Sequence, residues 1–264
     1  MHEMPLAVVK HLADMTKRFD VVCVKAEFEA QGMTPDELKL LDIIANRAGL
    51  KVALKVGGVE AVTDLNLALD IGVGGIIFPM AETPFALKKA LDAAKKYLSP
   101  SQRKALHLAV NVETITSYEN LDGILEKGKA GGLDAVTLGR VDMVDSLGLD
   151  RTYANSDQIY TIAEDMCRRV KKAGFDMTVG GAIEVESYDF IRRLVAAKVL
   201  DRFETRMIVF KAELVRDKVT FERAIRMAHK FELLWSECLA DKYTRLAKGH
   251  LDRSAMLKKR IGEE

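Results

Sequence analysis

The chain has 264 residues, with 40 basic and 39 acidic side chains and a net charge of +1. That length supports one large α/β barrel or two small domains, and the neutral balance argues against a dedicated nucleic-acid binder, which needs a basic excess to neutralise phosphates. Hydrophobic residues make up 48% and charged residues 30%, with 18 Gly and 5 Pro, which excludes a disordered, collagenous or low-complexity chain. The N-terminal stretch MHEMPLAVVKHLADMTK carries charges throughout and lacks the apolar core of a signal peptide. No apolar run approaches the roughly 20 residues that span a bilayer, so a cytoplasmic protein with no membrane partner is expected. Cys23, Cys167 and Cys238 are odd in number and far apart, so neither a disulfide framework nor a zinc site is expected.

Short apolar runs then alternate with amphipathic stretches. The runs are Val21–Val24, Val52–Val56, Gly75–Pro79, Leu108–Val112, Ala135–Leu138, Met177–Val179 and, less cleanly, Val199–Phe203 with Met207–Phe210. They read as buried parallel strands. Between them Leu38/Leu41/Ile44/Ala45/Ala48, Val62/Leu65/Leu69 and Ile159/Ile162/Met166/Val170 repeat with a helical period. Thr34-Pro35-Asp36-Glu37 and Thr83-Pro84 have the form of helix starts, and Thr116 with Glu119 has capping-box spacing. Seven or eight βα units predict a (β/α)8 TIM-type barrel. The eighth strand is either Met207–Phe210 or hidden before Asp20. A doubly wound open sheet ranks second, because no GxGxxG follows an early strand. From about Ala212 to Leu246 the pattern is helical, with Phe221, Ile225, Ala228, Phe231, Leu234 and Leu239 available to bury. The expected division is therefore a barrel over 1–211 and a helical extension over 212–264 that joins copies into a homo-oligomer or packs on its own barrel. The final LKKRIGEE reads as a frayed end.

In such a barrel the chemistry sits where strands end. Polar residues follow nearly every apolar run: Lys25, Glu27 and Glu29; Lys55, Gly57, Gly58 and Glu60; Glu82; Glu113; Arg140 and Asp142; Gly180, Gly181 and Glu184; Glu204 and Arg206. Glu113 and Asp142 each close such a run, so both carboxylates are expected in one mouth. With no His or Cys beside them they suit a hard divalent cation, Mg²⁺ or Mn²⁺. Gly180 and Gly181 are candidates to bring backbone N–H groups to a carboxylate or phosphate.

The segments LDIGVGGIIFPMAETPFAL, VNVETITSYENLDGIL and LDAVTLGRVDMVDSLGL resemble the HpcH/HpaI aldolase and citrate-lyase β-subunit family, over residues 20 to 205. Pro79-Met80, Glu113-Thr114 and Gly139-x-x-Asp142 carry the likeness. The resemblance implies that Glu113 and Asp142 hold the metal, and that the metal chelates the carboxylate and C2 oxygen of a 2-oxo acid such as pyruvate or oxaloacetate. It implies a metal-dependent carbon–carbon lyase acting through an enolate. Two departures stand out. The family's enolate-gripping Arg is replaced by Lys55, which cannot form a bidentate fork; Arg140 is then a candidate for the missing guanidinium. The family's catalytic His, in a Gly-Glu-His segment, is replaced by Lys25-Ala-Glu-Phe-Glu, and none of the five histidines falls at a predicted strand end. Glu27 or Glu29 is therefore expected to move the proton. Lys25, Glu204, Arg206 and Ser146 are candidates for contacting the rest of the substrate. The second substrate is open among an aldehyde, a sugar-derived carbonyl and an acyl-CoA. The alternatives are a Schiff-base aldolase using Lys55 or Lys25, a citrate-lyase-like condensing enzyme, and a non-catalytic metabolite-binding barrel.

Overall fold

The computed structural model describes residues 3–28 and 31–263. Eight strands close into a barrel in sequence order: β1 (Val21–Glu27), β2 (Val52–Lys55), β3 (Gly75–Phe78), β4 (His107–Val112), β5 (Ala135–Gly139), β6 (Asp176–Gly180), β7 (Arg202–Glu204) and β8 (Ile208–Lys211). The eighth strand is thus the Met207–Phe210 run, while the stretch before Asp20 forms a leading helix, Glu3–Arg18.

Strands β1 to β7 are parallel to one another, but β8 is antiparallel to both β7 and β1. The cause is the link. Only Thr205, Arg206 and Met207 separate β7 from β8, whereas a parallel connection needs a crossover of a dozen or more residues. The chain therefore turns back at the upper rim and descends. It reaches the lower end of the barrel, where Lys211 N donates to Asp20 O ahead of β1.

Local sequence explains the helices packed round the wall. Thr34 caps Pro35–Arg47 with a reciprocal bond to Glu37, and Thr83 caps Pro84–Tyr97. The box expected at Thr116 lies two residues earlier: Thr114 is the cap of Ile115–Glu119 and pairs with Ser117, because Thr114 is the last extended residue after β4. Apolar side chains of these helices and the outward faces of the strands share one continuous core, including Leu38, Leu41, Ile44, Met166, Val170 and Phe203.

The barrel interior is filled differently. Small residues point inward low in the bore, and Cys23, Ala53, Gly75, Ala109, Ala135, Thr137 and Thr178 line a cavity of 490 Å³ there. Its ceiling is an ion cluster. Lys25 Nζ lies 2.6 Å from Glu204 Oε1 and 3.2 Å from Glu27 Oε1, all three side chains being buried. Burial alone pulls the Lys25 pKa down, but the adjacent carboxylates of Glu204 and Glu27 outweigh it and hold the amine above its ordinary value. Lys25→Met leaves two buried carboxylates uncompensated. It is expected to cost about 3–5 kcal/mol in urea denaturation at pH 7.

The terminal helix runs from Lys218 to Ile261, 15 residues past the end predicted at Leu246, so most of LKKRIGEE is helical. Its first half packs on its own barrel through Phe221, Ile225, Ala228, Phe231, Trp235 and Cys238, and against the leading helix, where His11 Nε2 meets Met227 O at 2.8 Å. Further along, the Tyr243 hydroxyl donates to Glu37 Oε1 on the helix Pro35–Arg47. Among the described residues no helix is long and apolar enough to cross a membrane.

Candidate active site

The upper ends of the strands surround a cavity of 380 Å³. Its floor holds Lys25, Glu27, Lys55, Glu113, Asp142 and Glu204, two ammonium groups against four carboxylates. This is where the polar residues that end the apolar runs converge.

Glu113 follows β4 and is 2% exposed. Three groups fix its carboxylate. Asn111 Nδ2 donates to Oε2 at 2.9 Å, Met80 N donates to Oε1 at 3.3 Å, and Lys55 Nζ stands 3.6 Å from Oε1. The Met80 contact explains the Pro79-Met80 pair after β3. Met80 takes φ of 48°, a left-handed conformation that costs a non-glycine residue energy and turns its N–H onto the carboxylate. Gly139 is required for a steric reason: a Cβ there would lie 2.6 Å from Glu113 Oε2. Gly139→Ala is accordingly expected to displace Glu113 and lower turnover at least tenfold, with a smaller loss of stability, as steady-state kinetics and thermal melts will report.

Burial raises the Glu113 pKa; Lys55 opposes this and the nearby charge of Asp142 adds to it. Asp142 stands in the first turn of the helix Arg140–Ser146, directly after β5. Two carboxylates thus meet at one cavity, on a floor with two carboxylates in excess. That donor set and that charge fit a divalent, oxygen-loving cation. Among the described residues no group of three or more candidate ligands gathers.

Arg140 does not serve the cavity. It is fully buried, and its guanidinium donates to the carbonyls of Gly180, Gly181, Ala182 and Ala154 and to Asn155 Oδ1. Its face also lies over the Phe190 ring, 4.5 Å from the centroid. Burial draws its pKa down to about 9, which still leaves it charged at neutral pH. The expectation of an enolate contact is corrected: five acceptors beneath the rim consume the donors. What Arg140 does is pull the carbonyls of the loop after β6 downward. Gly181 and Ala182 both take positive φ, 79° and 50°, and Gly181 has no room for a Cβ, which would lie 2.7 Å from Arg140 N. The N–H groups of Ala182 and Ile183 find no acceptor among the described residues, and both residues line the cavity. Unpaired backbone donors beside a cavity are open to a ligand acceptor.

The other predicted residues divide clearly. Lys25, Glu27, Lys55, Gly181, Glu204 and Arg206 line the cavity. Gly180 lies below the rim beside Glu204, where a Cβ would meet the Glu204 side chain at 2.8 Å. Ser146 is turned away: its hydroxyl accepts from Ile115 N and donates to Met143 O, joining two helices. Glu29 lies outside the described residues. Glu60 pairs with Lys89, and Glu82 accepts from the Thr114 hydroxyl. Sequence reasoning missed Asn111, Arg151, Thr205, His229 and Glu232, which all line the cavity. Asn111 carried a signal, since it sits two residues before Glu113 and therefore on the same strand face.

Comparison with known proteins bears on this geometry. The model of the family described as HpcH/HpaI aldolase/citrate lyase matches residues 20–196. A 2-keto-3-deoxy-L-rhamnonate aldolase from Klebsiella pneumoniae is 26% identical over 182 residues, covering 60% of this chain and 65% of that protein. The match thus spans a little under two thirds of the relative's length. Two solved structures share the fold. One is an HpcH/HpaI aldolase/citrate lyase family protein from Burkholderia cenocepacia, with a TM-score of 0.60, 17% identity and coverage of 84% of this chain and 89% of that one. The other is an HpcH/HpaI aldolase from Desulfitobacterium hafniense, with a TM-score of 0.59, 17% identity and coverage of 75% and 81%.

Proposed function

The chain belongs to the HpcH/HpaI aldolase/citrate lyase family, and on that footing we propose that it is a divalent-metal-dependent carbon–carbon lyase acting on a 2-oxo acid through a pyruvate-like enolate. The observation that carries the reading is the pair Glu113 and Asp142 on a floor with four carboxylates and two ammonium groups. Held by those two residues, Mg²⁺, Mn²⁺ or another divalent ion supplies Lewis-acid stabilisation of the negative charge that grows on the substrate's C2 oxygen. The protein's own groups do the rest. The N–H groups of Ala182 and Ile183 receive the substrate carboxylate. Lys55, beside Glu113, adds a positive charge where the enolate forms, from a largely buried side chain. Glu27 takes or returns the proton, and Lys25 holds its carboxylate in place 3.2 Å away. Glu29 is the alternative carrier. The second substrate is an aldehyde, a sugar-derived carbonyl or an acyl-CoA thioester.

The Schiff-base alternative needs a neutral lysine. Lys25, with two carboxylates around it and a raised pKa, is held as an ammonium ion and is a poor nucleophile. Calorimetric titration with Mn²⁺ tests the reading without relying on turnover. One site per chain is expected, weakened at least tenfold in both Glu113→Gln and Asp142→Asn. Equal binding by all three proteins overturns the metal assignment. So does a lysine adduct trapped by borohydride with pyruvate in the presence of EDTA.

A further inference from the structure

The lower half of the bore is built from residues too small to fill it. A closed eight-stranded barrel usually packs its interior with layers of Val, Ile and Leu. Here Ala53, Gly75, Ala109, Ala135, Thr137 and Thr178 line the space below the ion cluster and leave the 490 Å³ cavity. Thr137 and Thr178 are each 4% exposed, and neither hydroxyl bonds to a described residue. Buried hydroxyls without partners are costly. Arg202 lines the same cavity, and Thr137, Thr178 and Arg202 are register partners on β5, β6 and β7, so their donors form one row along the wall. From the other side of the bore His107, on β4, meets this row: Arg202 Nη1 stands 3.1 Å from His107 Nε2. Burial, and then the Arg202 charge, lower the His107 pKa, so the ring is neutral and Nε2 is the acceptor. Arg202 Nη2 donates to Asp176 Oδ2 at 2.8 Å, which holds the guanidinium in place. Among the described residues Nη1 is thus committed only to a neutral acceptor. Lys51, exposed at the lower rim, adds a second cation to the lining.

We propose that the lower bore is a second ligand site, separate from the mouth, and that it takes a small monocarboxylate with an apolar body. The carboxylate sits against Arg202 and the threonine hydroxyls, and the hydrocarbon fills the bore. A carboxylate replaces the imidazole as the acceptor for Nη1, and a charge-assisted bond is roughly twice as strong as a neutral one. Thr137 and Thr178 give it two more donors. The rest of the lining is apolar, with Val22, Val52, Ala53, Ile77, Ala109 and Val209, and offers nothing to the several hydroxyls of a sugar acid. An apolar cavity of about 150 Å³ holds benzene, so this one has room for a body of roughly six to eight carbons. Glu204 lines both cavities and is bonded to Lys25, so the ion cluster divides this site from the mouth. The proposal does not depend on the enolate reading.

The test is calorimetric titration of the full chain with hexanoate, 1-hexanol and hexylamine, in EDTA and again with Mg²⁺. Hexanoate is expected to bind one site per chain, at least tenfold more tightly than 1-hexanol, with equal affinity in EDTA and Mg²⁺ and no binding of hexylamine. Arg202→Gln is expected to weaken hexanoate at least tenfold and 1-hexanol less than twofold. Thr178→Val is expected to weaken hexanoate at least threefold. Ala109→Leu fills the cavity and is expected to weaken both ligands at least tenfold. Ala135→Val repeats the filling with a smaller side chain if Ala109→Leu does not fold. Wild-type affinity for hexanoate in the filled variant overturns the site, and so does binding that requires Mg²⁺, since both place the ligand elsewhere. Absence of hexanoate binding to the wild type overturns it too. Equal binding of hexanoate and 1-hexanol, unchanged by Arg202→Gln, overturns the carboxylate assignment.

Discussion

Glu113→Gln is expected to lower pyruvate enolisation and carbon–carbon cleavage by about 10²–10³-fold, the range lost when one preorganised electrostatic stabiliser of a growing negative charge is removed. The amide keeps the shape of the carboxylate and the packing against Gly139, but it donates where a cation needs a charged acceptor. Stability is expected to move the other way. Burial and Asp142 hold the folded-state pKa of Glu113 above its ordinary value. The folded protein therefore binds this proton more tightly than the unfolded chain, and ionisation near pH 7 weakens the fold. A neutral side chain removes that penalty. Metal-free Glu113→Gln is accordingly expected to melt at or above the wild-type temperature at pH 7, while its activity collapses. A variant that melts well below the wild type would mean that the Lys55–Glu113 contact stabilises the fold more than burial of the carboxylate weakens it.

The second large effect is structural in origin and functional in outcome. Arg140→Met removes a guanidinium that donates to four backbone carbonyls and the Asn155 amide, in a site with no exposure to solvent. Stranding several buried acceptors is expected to cost about 3–5 kcal/mol, read from urea denaturation. Protein that still folds is expected to bind pyruvate at least tenfold more weakly, because the loop that presents the Ala182 and Ile183 N–H groups loses its anchor. Arg140→Lys keeps the charge but serves only part of this fan of acceptors. It is expected to fall between wild type and Arg140→Met in both measurements. A direct contact with the enolate would give another pattern, with stability within about 1 kcal/mol of wild type, as is usual away from buried networks.

Much of the architecture was readable in the linear order of residues because parallel strands are covered on both faces. Val52–Val56 and Ala135–Leu138 stand out as unbroken apolar runs, and the residues after them reach the mouth. Glu113 was legible for that reason. Arg140 occupies the same kind of position and was misassigned, because order along the chain does not say whether a side chain at a strand end rises into the cavity or folds back beneath the next loop. Ser146 failed similarly: it sits in the last turn of the helix Arg140–Ser146 and bonds sideways. The reversal of β8 had a visible signal in the three-residue link Thr205–Met207, too short for a crossover. His229 was hidden by a missing direction rather than a missing pattern. The periodicity of Ala228, Phe231 and Trp235 gives the buried face of the helix, but only the reversed strand makes the helix climb to the end that carries the cavity.

The most direct measurement is the exchange of pyruvate C3 protons for deuterium in D₂O, followed by NMR with the metal-free protein, with added Mg²⁺ or Mn²⁺, and with the same ions in Glu113→Gln. Exchange is expected only in the wild type with metal, suppressed by EDTA and restored by excess ion. Exchange that proceeds unchanged in EDTA, or at the wild-type rate in Glu113→Gln, would contradict an enolate stabilised at the Glu113–Asp142 pair.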